Sequence, residues 1–102
     1  MLPIQILEPQ DIEASTEGCV NARRDYILGL WAGKQLGLND DDLMSYVRDV
    51  ISADHMAPGA DPMINKVATD FSRNGVGMGC NQIWNVLQNA ERTARAEMLV
   101  TD

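Results

Sequence analysis

Apolar positions recur along the chain at the three-to-four-residue spacing of helices, and no stretch alternates with period two long enough to read as a strand. The spacing predicts a first helix from about Thr16 to Gly37, with an apolar centre. Ile27, Leu30, Trp31 and Leu38 project to one side of it, and Leu36 lies opposite, beside Gly29, Ala32 and Gly33. A helix with no polar face is usually buried, which would put this one at the centre of a bundle. Gly29 and Gly33 share a face on which another backbone could come close. Each costs about 1 kcal/mol relative to Ala in a helix interior, so packing must compensate.

Three more helices follow. Asn39 is a good N-cap, and Asp40, Asp41 and Asp42 place negative charge on the positive end of a helix dipole. Leu43, Val47, Val50 and Ile51 then recur as one amphipathic stripe until Pro58 and Gly59 end the helix. Asp61 as N-cap, Pro62 at the first helical position and Gly75 as a left-handed stop bound the third helix. Its core stripe is Ile64, Val67, Ala68 and Phe71, with Lys66 and Asp70 paired on the outside. The fourth opens near Gly79 and runs to about Met98, turning Ile83, Val86, Leu87, Ala90 and Ala94 inward.

Residues 1–15 read differently. Pro3 and Pro9 lack the amide a helix interior requires, so this stretch is expected to be an irregular leader, although residues 2–7 are apolar enough to lie against the bundle. The expected architecture is all-α, a compact four-helix bundle over residues 16–102 preceded by that leader.

With 102 residues the chain has room for one core, and 45% apolar residues suffice to build it. Fifteen acids against eight bases leave a net charge of −7, a field that repels phosphate backbones and anionic lipid. Nucleic-acid binding and membrane docking are therefore not expected. Residues 26–33, the longest apolar run, fall far short of the roughly 20 residues of a membrane span. No basic segment followed by an apolar one marks a signal peptide, and Cys19 and Cys80 form no disulfide framework. A cytoplasmic location with reduced thiols is expected.

Candidate chemistry is sparse. His55 is the single histidine and falls at a helix end, where a protonated imidazole suits the dipole. The run Asp40 to Asp42 lacks the alternating ligands of a calcium loop. Asp54 continues the apolar stripe of the second helix, so its carboxylate wants an arginine or capping partner, or serves a ligand or partner protein. Gly77 and Gly79, in the run GVGMG, could offer backbone amides to an anion or nucleotide at a helix start. The run matches no phosphate-loop pattern, however, and a stop glycine followed by a flexible N-cap accounts for it better. No catalytic residue, metal site or cofactor is expected, because acid–base or nucleophilic chemistry needs a positioned set of groups that the chain does not offer.

The run ARRDYILGLWAGKQLGL, residues 22–38, carries further. It is followed in order by Tyr46, VISAD at 50–54, Gly59 and Asp61, Lys66, Asp70 and Phe71, Gly75 and Val76, and Gln82 with Ile83. This series resembles the ATPase inhibitor subunit zeta family, small four-helix proteins of alphaproteobacteria. The resemblance implies a regulator that binds the catalytic head of the ATP synthase, made of alpha and beta subunits, and blocks ATP hydrolysis through its N-terminal segment. It would place the chain at the periphery of the inner membrane. Arg23 and Arg24, where leader meets bundle, then become candidate partner contacts together with Asp54; their structural alternative is pairing with Asp25 or Asp54. The chain departs from the family pattern where residues 1–20 hold no Lys or Arg, where Gly79 replaces a polar N-cap, and where Trp84 and Asn85 stand at positions usually basic. Those departures leave a second reading: a non-inhibitory paralogue acting as a small-ligand or protein-interaction module.

Overall fold

The structure, a computed structural model, describes the backbone of residues 9–56 and 61–100 and the side chains of residues 19–54 and 61–98. Four helices follow one another: α1 (Pro9–Gln35), α2 (Asp40–Met56), α3 (Asp61–Arg73) and α4 (Cys80–Val100). α1 packs on α2 and α4, and α3 closes the arrangement against the same two helices. The four-helix expectation holds. α1 packs most extensively of the four, against α2 and α4 and, through Trp31, on Phe71 of α3, in line with the central place expected of it.

α1 also starts at Pro9, well before the expected Thr16. Proline is tolerated in the first turn of a helix, where its missing amide would have had no partner. Of the expected leader, residues 1–8 lie outside the described residues, as do Pro58 and Gly59.

The helix ends follow local chemistry. At the end of α1 the Leu38 amide donates to the Gly33 carbonyl (3.0 Å) and the Gly37 amide to the Lys34 carbonyl (3.0 Å). This is a Schellman stop, and Gly37 holds the left-handed φ of 80° that it requires. α3 ends similarly: the Val76 amide donates to the Phe71 carbonyl (2.9 Å) across Gly75, whose φ is 73°. The N-cap of α4 is Gly79, whose amide donates to Gln82 Oε1 (3.0 Å), half of a capping box. α2 opens with Asp40 at a positive φ of 51°, a conformation Asp accepts better than most residues.

The core is built from Leu28, Ala32, Tyr46, Val50, Met63, Ile64, Val67, Phe71, Ile83 and Leu87, with Trp31 packed edge-on against Phe71 at 5.5 Å between ring centres. On α2, α3 and α4 the expected stripes supply most of it. On α1, whose centre is apolar, burial is uneven. Ile27, Leu30, Trp31 and Leu38 are only half-buried, and the deeply buried line is Asp25, Leu28, Gly29, Ala32 and Gly33. Small residues on that line let α2 come in close: a Cβ on Gly29 would sit 3.1 Å from the Val47 Cα. The expected close approach of another backbone is found at Gly29, whereas at Gly33 the side chains of Leu43 and Tyr46 fill the space instead.

Candidate functional site

The adjacent arginines of α1 face opposite seams. One residue advances a helix by about 100°, so Arg23 and Arg24 leave the helix in different directions. Arg23 reaches α4, where its Nε donates to Glu97 Oε2 (2.8 Å), and its guanidinium lies 5.4 Å from the centre of the Tyr26 ring. Both partners of this pair remain about half exposed, at 49% and 46% of the side chain. Glu97, through its hydrogen bond and its charge, holds the Arg23 guanidinium even more firmly in the charged form.

Arg24 turns inward to α2. Its Nε donates to Asp25 Oδ1 (2.9 Å), and its Nη2 lies 3.5 Å from Asp54 Oδ2. The Asp25 carboxyl also lies within hydrogen-bonding reach of Asp54. Asp25 is 2% exposed, the one buried charged side chain among the described residues. Burial pushes its pKa up first and the hydrogen bond with Asp54 second; Arg24 opposes both, and the outcome is about 7. Two carboxyls and one guanidinium thus share the seam between α1 and α2, and one proton balances their charge below neutrality. Among the described residues no buried side-chain nitrogen or oxygen lacks a partner.

Asp54 therefore has the arginine partner that its place in an apolar stripe requires, and Arg24 takes the pairing role. Asp25 is the residue the pattern did not single out. Its signal is positional: 25, 28, 29, 32 and 33 form one helical line, with the carboxylate at its N-terminal end.

A second cluster ties α2 to α3. Tyr46 Oη donates to Asp70 Oδ2 (2.9 Å), and Lys66 Nζ reaches the same oxygen (3.0 Å) while lying 5.2 Å from the centre of the Tyr46 ring. Burial, then the Asp70 hydrogen bond, push the Tyr46 phenol up from its usual value. Lys66 and Asp70, expected to be an outer pair, instead brace two helices. Beside them an open groove is lined by Asn65, Lys66, Thr69, Asp70 and Arg73, none of them a residue the sequence nominated for a site.

Gly77 and Gly79 lie exposed between α3 and α4. The Gly79 amide is taken by Gln82, so the glycine N-cap describes it directly. His55 falls in the last turn of α2, with its side chain outside the described residues. Cys19 and Cys80 are free and exposed. No group of three metal-ligating side chains gathers among the described residues, and no described helix is long and apolar enough to cross a membrane.

Among the described residues these contacts brace the fold: ion pairs and hydrogen bonds join α1 to α2 and α4, and α2 to α3. Comparison with known proteins gives one result. A family model described as ATPase inhibitor subunit zeta matches residues 12–97, a span that contains every cluster above. No curated protein and no solved structure matches the chain.

Proposed function

The chain belongs to the ATPase inhibitor subunit zeta family, and from that premise we propose that it is a regulatory subunit that docks on the catalytic head of an F-type ATP synthase and restrains ATP hydrolysis. The observation that carries this reading is the family match across residues 12–97, which takes in all four helices. The setting it implies is the cytoplasmic side of the inner membrane, where the synthase head stands.

On this reading the globular helices anchor the protein, and the residues that precede them act on the head. Residues 1–20 hold no Lys or Arg to complement acidic groups on a partner, so restraint is expected to be weak for the family. Arg23 is the better contact of the two arginines, because it is half exposed while Arg24 is committed to Asp25 and Asp54. The test is binding of Arg23→Ala to a purified catalytic head. Affinity lowered several-fold with unchanged thermal stability supports the contact, and wild-type affinity removes Arg23 from the interface.

One observation favours the second reading, a protein-interaction module that has left the synthase. Trp84 is 41% exposed on a stretch of α4, residues 80–90, that contains no charged residue, in a chain of net charge −7. Interface centres are depleted of charge and enriched in aromatics. If Trp84→Gln abolishes capture of a partner other than the synthase and the head itself is not bound, this reading replaces the first.

A further inference from the structure

The seam between α1 and α2 carries an arrangement that holding two helices together does not need. Apolar packing of Leu28, Ala32, Tyr46, Val47 and Val50 already buries this contact. An isolated carboxyl 2% exposed is costly to ionise, and a second carboxyl beside it makes ionising both costlier. One guanidinium, Arg24, is shared between them at 2.9 Å and 3.5 Å.

We propose that Arg24, Asp25 and Asp54 form a proton-linked latch: α1 is held against α2 while the two carboxyls share one proton, and the seam loosens when that proton passes to solvent. The charged groups facing Asp25 are Arg24 on its own helix and Asp54 on α2. Of the charged groups on α4, Glu97 pairs with Arg23 of α1, and Glu91 pairs with Arg95. The latch is a property of the chain itself and does not depend on the synthase being the partner.

The sign follows from linkage. In the closed seam Asp25 titrates at about 7, whereas a solvated Asp titrates near 3.9. The closed form therefore binds the proton more tightly. Its advantage is fully present below about pH 4, falls as pH rises and is gone once pH has passed through about 7. Between pH 8 and pH 6 the closing equilibrium should shift by about tenfold.

Two measurements on the whole chain test this. The side-chain carboxyl carbons of Asp25 and Asp54, followed by NMR from pH 5 to 9, should show one proton leaving the pair near neutrality. Amide exchange at residues 28–33, corrected for intrinsic rates, should be about tenfold slower at pH 6 than at pH 8. Asp25→Asn should flatten that dependence. His55 is the single histidine of the chain, so His55→Gln serves as control and should keep it. Carboxyls with no titration above pH 5.5 would overturn the latch, even if the Asn variant fails to fold. So would an unchanged pH dependence in Asp25→Asn, or its disappearance in His55→Gln.

Discussion

Two glycines one turn apart on α1 should respond differently to the same substitution. Alanine at either Gly29 or Gly33 gains about 1 kcal/mol of helix propensity. At Gly29 the new methyl would sit 3.1 Å from the Val47 Cα and 3.4 Å from its Cβ and Cγ1. The obstacle is backbone, so α2 must shift as a body, and overpacking of this kind costs about 1–3 kcal/mol. The net effect of Gly29→Ala is a loss of about 1 kcal/mol, or a lowering of Tm by roughly 4–8 °C for a domain of this size. At Gly33 the obstacle is the Leu43 Cδ1, the far end of a flexible, half-buried side chain, and the Tyr46 ring edge at 3.4 Å is in ordinary contact. Moving Leu43 to another rotamer costs about 0.5–1.5 kcal/mol, which the propensity gain offsets. Gly33→Ala is therefore near neutral, and about 1 kcal/mol more stable than Gly29→Ala. Urea unfolding followed by Trp31 fluorescence measures both, provided the m-values agree. Equal stabilities, or Gly29→Ala as the more stable variant, would refute the claim that α2 crosses α1 with its backbone against Gly29.

Further expectations follow from the same contacts. Gly75→Ala, at a φ of 73°, should lose about 1–2 kcal/mol in thermal unfolding, whereas Gly77→Ala, with open space around it, should lose less than about 0.5 kcal/mol. Tyr46→Phe removes the hydroxyl that donates to Asp70 and should cost about 1 kcal/mol in denaturant titrations, because Lys66 still covers the carboxylate. Millimolar ADP, followed through the amide shifts of residues 75–82, should leave the Gly79 resonance in place, since that amide is already bonded to Gln82; a saturable shift there would instead establish an anion contact.

What the sequence discloses depends on how local the physics is. The ends of α3 are legible because Asp61, Pro62 and Gly75 each act within one turn, and the structure bounds the helix at Asp61 and Arg73. The close approach at Gly29 is legible because an unfavourable glycine in a helix interior demands a packing reason. The start of α1 is not, because a proline that forbids a helix interior is acceptable in a first turn and the residue alone does not say which it occupies. The deeply buried line of α1 is not legible for a tertiary reason: Trp31 and Leu30 outweigh small residues in any count of apolarity, yet small residues are what a close helix crossing buries. The same crossing decides the site. Asp54 announces its need for a partner by sitting in an apolar stripe, so its pairing with Arg24 can be anticipated. Asp25, next to Arg24 in the chain, looks like half of a surface pair until α2 is laid over it.

The central claim, that this zeta-family chain regulates the ATP synthase, is met most directly by titrating the purified protein into an alphaproteobacterial catalytic head while ATP hydrolysis and co-elution are recorded together. The account predicts a stable co-eluting complex whose hydrolysis falls, saturably, as the chain is added. Unchanged hydrolysis with no co-elution at concentrations well above those used for the head would contradict it.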